Sequence, residues 1–163
     1  MVTPPRLKER GVSLIELMVT ITILAILVVT GTSLTALWSK QSELDKATMS
    51  LKSAMNLAKS TAIRNEFSKS MDYAASQICF DQNKKELSVH KATATESASC
   101  TTTIVFSYPL SQTIEIKDAN SNDFKCFSFN HFGQVSTDIT GNCKTNLSLT
   151  MSNGSLNETN NFY

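Results

Sequence analysis

The chain carries no charged residue from Leu17 to Ser39, and the longer apolar run from Val12 to Trp38 contains one carboxylate, Glu16. About 20 mostly apolar residues suffice to cross a bilayer as a helix, so this run is long enough to span. An ionisable group at the mouth of such a segment is costly, which marks Glu16 as functional and calls for a partner. Arg6, Lys8 and Arg10 precede the run, with Glu9 the one acid among them. That excess of cations keeps the N-terminus cytoplasmic and sends the remainder across the membrane. The small residues Thr30-Gly31-Thr32-Ser33 after the run leave an ordinary secretory cleavage open on composition alone.

Beyond Trp38 the pattern becomes amphipathic. Leu44, Ala47, Leu51, Ala54, Ala58 and Ala62 recur at spacings of three and four, and Met55 and Leu57 widen the stripe. Lys40, Glu43, Asp45, Lys46, Lys52, Lys59 and Arg64 mostly occupy the other sides, and no proline interrupts the chain between Gly11 and Pro109. These features predict one helix from Leu14 to about Arg64, roughly 75 Å long at 1.5 Å per residue. Its alanines would let a sheet approach closely. Gly31 and its β-branched neighbours are the one place where the helix would soften.

Arg10-Gly11-Val12-Ser13-Leu14-Ile15-Glu16-Leu17 resembles the processing signal of type IV prepilins and type II secretion pseudopilins. The resemblance implies cleavage between Gly11 and Val12 by a prepilin peptidase, N-methylation of Val12, and a role for Glu16 in subunit docking. Val12 stands where the family usually has Phe or Met. Leu51 to Asn65 is similar to the helix end of the GspH/FimT/FimU group of minor pilins and pseudopilins, with Lys59 where that group often has Arg. Phe127-Ser-Phe129-Asn-His-Phe-Gly133 resembles the late strand pair of the same group.

The rest reads as β. Expected strands are Gln77–Asp81, Glu86–Lys91, Thr102–Tyr108, Thr113–Lys117, Phe124–Asn130, Gln134–Thr137 and Asn146–Ser152, from their alternation and β-branched content. Turn chemistry lies between them at Asp81-Gln82-Asn83, Pro109, Asn120-Ser121-Asn122-Asp123 and Gly141-Asn142. The length suits one small sheet and one core. Ser152 to Tyr163, rich in Asn, Ser and Thr, reads as a loose tail.

The four cysteines, at 79, 100, 126 and 143, all lie in the exported part and indicate two disulfides. Three pairings are open. Cys79–Cys100 with Cys126–Cys143 is preferred because each closes a local loop, worth on the order of 3 kcal/mol in the chain-entropy model. No Cys-x-x-Cys pair supports a metal site. His90 and His131 are the only histidines and read as surface or turn residues; no catalytic or cofactor-binding motif appears. Sequons at Asn146, Asn153 and Asn157 are expected by chance in an Asn- and Ser-rich tail. DNA is the rival partner, since some members of the resembled group bind it through a basic C-terminal stretch. Removal of Arg6, Lys8, Arg10 and Glu9 with the leader takes the formal charge from +1 to −1, and Lys84-Lys85 is the one basic pair. Phosphate recognition leans on clustered cations, so the charge argues against DNA.

The expectation is an α+β, pilin-like chain that is not an enzyme and carries no cofactor and no metal. It divides into a cleaved leader (1–11), a membrane and polymerisation helix (12–38), the amphipathic second half of that helix (39–66), a β-rich domain (67–152) and a flexible tail (153–163). The resemblance implies a minor type IV pilin that primes or caps assembly, with a GspH-like minor pseudopilin of a secretion system as the alternative and a DNA-binding pilin as the second. Implied partners are the prepilin peptidase, other minor pilins, the major pilin or pseudopilins, the inner-membrane assembly platform and membrane lipid. The implied location is the bacterial inner membrane, then the pilus or pseudopilus.

Overall fold

The computed structural model describes residues 11–136 and 143–162, with the side chains of residues 32–34 excepted. Residues 1–10 of the expected leader, Thr137, the Gly141-Asn142 turn and Tyr163 lie outside the described residues. The expected α+β class is borne out: among the described residues one long N-terminal helix, α1 (Leu14–Arg64), is followed by eight strands in antiparallel pairing. The chain divides into two compact units, Met1–Ser39 and Lys40–Tyr163.

In the first unit, every side chain described between Val12 and Ser39 is exposed, and the helix runs unbroken through Gly31. The second unit contains the remainder of α1 and the strands β1 (Ser76–Asp81), β2 (Glu86–Lys91), β3 (Ile104–Pro109), β4 (Ile114–Asp118), β5 (Cys126–Phe129), β6 (Val135–Ser136), β7 (Ser148–Asn153) and β8 (Leu156–Asn161). They form two sheets where one was expected: a five-stranded sheet in the order β3-β2-β1-β5-β6 and a three-stranded sheet in the order β4-β7-β8.

Both sheets bury their apolar faces against the amphipathic stripe of α1. Leu44, Ala47, Leu51, Ala54, Met55, Ala58 and Ala62 share one core with Ile78, Leu87, Val89, Phe127 and Phe129 of the larger sheet and Ile114, Ile116, Leu149 and Met151 of the smaller. Buried Ser76 donates its hydroxyl to the Ala58 carbonyl at 2.7 Å and so ties β1 to the helix backbone. The helix stops at Asn65, which takes a left-handed conformation (φ 42°) and donates its N–H to the Thr61 and Ala62 carbonyls. Its side chain then binds the backbone N–H and C=O of Lys69. Gly133 ends the β5 turn at φ 72°, where a Cβ would lie 3.2 Å from Ile63, so both the backbone and the space call for glycine.

The face of the larger sheet turned away from the helix carries Gln77, Cys79, Ser88, His90, Cys126 and Ser128, and all but Ser88 are buried. The β2–β3 loop and the residues just before β7 pack on it. The β2–β3 loop is fastened by Cys79–Cys100 and by the Ala98 N–H on the Ala74 carbonyl. Cys143 and Lys144 are fastened by Cys126–Cys143 and by the Lys144 N–H on the Cys126 carbonyl. His90, expected at the surface, is therefore buried, because the β2–β3 loop folds back over it.

The expected loose tail is corrected. Asn153 and Leu156 pair across a two-residue loop, Gly154-Ser155, and Leu156–Asn161 runs back along β7 as β8. Gly154 has φ 66°, as the first position of a II′-type loop requires. Phe162 then turns into the core. Smaller differences fall at strand ends. Thr102 leaves the expected third strand because its hydroxyl exchanges hydrogen bonds with the Ser99 backbone.

Candidate functional site

Gly11, Val12 and Ser13 form a non-helical approach to α1. The Gly11–Val12 bond is thus outside the helix and accessible: Val12 is 68% exposed, and nothing lies within 4 Å of a Cβ placed on Gly11. A peptidase needs such an extended, unprotected segment. Ser13 caps the helix. Its carbonyl accepts the Leu17 N–H at 3.1 Å, and its Oγ accepts the Glu16 N–H at 3.3 Å. Ser13-x-x-Glu16 is capping-box spacing, a helix-start signal present in the sequence itself.

The cap gives Glu16 a local role. A carboxylate in the first turn interacts favourably with the helix dipole, by about 0.3–1 kcal/mol at exposed sites. That is small against the cost of a charge held in hydrocarbon. The Glu16 carboxylate makes no hydrogen bond or ion pair among the described residues. An acceptor already at the helix mouth is left open to a donor from elsewhere.

The rest of the apolar half is prepared for lipid. Thr20 donates its hydroxyl to the Leu17 carbonyl at 2.8 Å, Thr22 to Met18 at 2.7 Å, and Thr30 to Ile26 at 3.1 Å. These back-bonds satisfy hydroxyls that would otherwise be stranded in hydrocarbon. Among the described residues this is the one helix long and apolar enough to cross a membrane.

In the second unit both histidines are described. His90 Nδ1 lies 2.8 Å from the Thr102 carbonyl, which can only accept, so Nδ1 carries a proton; Nε2 lies 2.9 Å from Ser88 Oγ. The ring is satisfied and only 3% exposed. His131 stands in the turn after β5, its ring tilted 41° against that of Phe132 with centroids 3.9 Å apart. No cluster of three His, Cys, Asp or Glu side chains capable of holding a metal occurs among the described residues. The Lys84-Lys85 pair is engaged within its own turn, Lys84 with Asp81 at 4.0 Å and Lys85 with Gln82 at 3.1 Å. Of the sequons, Asn153 is buried, and its amide donates to the Lys40 carbonyl and to Glu43.

Two carboxylates hold this unit together. Glu43 lies below its ordinary pKa because Ser111, Asn153 and Thr113 donate to it. Burial pushes the Asp118 carboxyl up, but the Lys144 ammonium and the N–H groups of Asn122 and Asn120 outweigh that and bring it below the ordinary range.

Residues 6–32 match the family model of the prokaryotic N-terminal methylation motif, the prepilin signal of type IV pilin-like proteins. The match spans Gly11, Val12 and Glu16. No curated protein and no solved structure matches the chain significantly.

Proposed function

We propose that this chain is a minor type IV pilin of the FimU/FimT kind, made as a prepilin and cut between Gly11 and Val12. The methylation motif and the apolar helix support a type IV pilin-like protein processed at its prepilin signal. In this reading Val12 becomes the N-methylated first residue, and 12–38 anchors the subunit in the inner membrane until it joins a filament. The β-rich unit faces outward, and the subunit primes or caps assembly with other minor pilins and the major pilin. The protein acts by assembly, without catalysis.

The observation that carries the proposal is a lone carboxylate in the first turn of an apolar helical stretch whose described side chains are exposed up to Ser39, five residues after an accessible glycine. The sequence offers no cation on the same helix until Lys40, about 36 Å away at helical rise. Cleavage creates one nearby, the amine of Val12, on this subunit or its neighbour. At 4 Å such a pair is worth roughly 4 kcal/mol at an effective dielectric of 20, before desolvation. That is enough to register an incoming subunit.

Intact-mass analysis tests the first step: Gly11→Val should remain full length in the membrane. Normal maturation of that variant would exclude the prepilin reading. Glu16→Gln tests the second. It should be inserted and cleaved but poorly recruited into sheared pili or minor-pilin complexes. A capping role alone would leave recruitment unchanged, because Gln can serve at the same capping-box position.

A further inference from the structure

The four cysteines stand as one group on the outer face of the larger sheet. Cys79 of β1 and Cys126 of β5 are direct partners across the two strands, and Cys79, Cys126 and Cys143 pack on one another. The Phe80 N–H donates to the Lys125 carbonyl at 2.8 Å, so the next pair along, Cys79 and Cys126, exchanges no backbone hydrogen bonds. The Cys126 carbonyl accepts from Lys144 instead. Side chains of such a pair approach most closely, with Cα atoms about 4.5 Å apart, a separation that a disulfide can span. Each of the two nevertheless bonds elsewhere, Cys79 to Cys100 and Cys126 to Cys143. A third bond, Cys79–Cys126, is therefore open to the same folded sheet.

The sulfurs differ in access. Cys79, Cys126 and Cys143 are 6%, 3% and 6% exposed. Cys100 is exposed, and it lines a hollow of about 460 Å³ together with Cys79, His90, Ile104 and Lys125. Buried Gln77 donates its amide to Cys100 Sγ at 3.3 Å and accepts from Ser128 Oγ at 3.3 Å, which holds that sulfur in place. Thiol–disulfide exchange needs access to the sulfur attacked. An external thiolate therefore meets Cys100 first, and Cys79 is the sulfur that leaves.

We propose that the four cysteines form one thiol–disulfide exchange site, at which a single external dithiol opens both bonds. A thiolate of the dithiol attacks Cys100 Sγ. A mixed disulfide forms there, the Cys79–Cys100 bond breaks, and Cys79 leaves as a thiolate beside Cys126. Cys79 Sγ then attacks Cys126 Sγ. The Cys79–Cys126 bond forms, the Cys126–Cys143 bond breaks, and the Cys143 thiolate takes a proton from water. The second thiol of the dithiol displaces Cys100 as a thiol and closes the dithiol's own disulfide. Two electrons, with two protons through water, have passed from the dithiol to Cys100 and Cys143, and the chain keeps one disulfide. The internal step outruns a second external attack because its nucleophile is already held against its target. β1 and β5 gain a covalent tie while both outer segments lose theirs. The site lies within the second unit and does not depend on the prepilin reading.

Brief treatment of the full chain in detergent with dithiothreitol, quenched with excess N-ethylmaleimide and followed by non-reducing peptide mapping, tests this. The chain with one remaining disulfide should carry Cys79–Cys126, with Cys100 and Cys143 alkylated. Both original bonds should thus be lost for one dithiol consumed. The double variant Cys100→Ser, Cys143→Ser should form Cys79–Cys126 on air oxidation. A one-disulfide chain that mainly retains Cys79–Cys100 or Cys126–Cys143 would overturn the proposal. So would resistance of both bonds to dithiothreitol without denaturant, or free Cys79 and Cys126 thiols in the oxidised double variant. The first measurement uses the unsubstituted chain, so it stands even if the double variant fails to fold.

Discussion

Replacing Asp118 with alanine should be among the most damaging single changes in the second unit. The Asp118 side chain is 5% exposed, and it accepts from Lys144 Nζ at 2.9 Å and from the backbone N–H groups of Asn120 and Asn122 at 2.9 and 2.8 Å. Breaking a fully buried pair costs about 3–5 kcal/mol. The Lys144 side chain is 36% exposed and regains water, so the ion pair itself contributes less here. Two backbone donors nevertheless lose their acceptor, and the net is about 2–3 kcal/mol. For a unit of this size that is a fall of roughly 6–15 °C in Tm. Calorimetry of the full chain in detergent, disulfides intact, measures it. Lys144→Ala should cost clearly less, because it leaves the backbone bonds in place. The folded-state pKa of Asp118 lies below its ordinary value, so its contribution is present at neutral pH and is lost as pH falls through that lowered value. Asp118→Asn should lose that component of the acid sensitivity. A fall under about 2 °C for Asp118→Ala, or an equal or greater one for Lys144→Ala, would refute the reasoning.

Ala58→Leu should destabilise the second unit by about 1–3 kcal/mol, read by the same calorimetry, because Ala58 is fully buried where Ser76 grips the helix backbone. Ser13→Ala should cost about 1 kcal/mol of helix stability. Faster amide exchange confined to the first turn of α1 would report it, and the second unit should be unaffected.

The helix was legible almost residue for residue, because its signals are local: a three-and-four spacing, an absence of proline, and an apolar stretch too long to be anything else. Strands with alternating or β-branched apolar residues, such as β2, were equally legible. β8 was not, because an edge strand with one half-buried face needs little hydrophobicity, and its Asn and Thr resemble loop chemistry. Its one local signal was Gly154, the left-handed residue of a two-residue hairpin. The burial of His90 could not be read at all. It depends on a loop ending at Thr102 returning over the sheet, a contact set by tertiary closure and not by the residues beside His90. At the N-terminus, Gly11 and Glu16 are visible as a motif, and the Ser13-x-x-Glu16 spacing of the cap is equally local, although Glu16 then serves two patterns at once.

The two disulfide-fastened segments on the outer face of the larger sheet have a mechanical consequence. A pull along α1 meets the smaller sheet first, where Asn153 holds the Lys40 carbonyl and Glu43, and the larger sheet further on, where Ser76 of β1 holds the Ala58 carbonyl. The segments at Cys100 and Cys143 lie on the far face of the larger sheet, tied covalently to Cys79 of β1 and to Cys126 of β5. Strain from the helix therefore reaches that outer layer last, through the sheet and its two covalent ties.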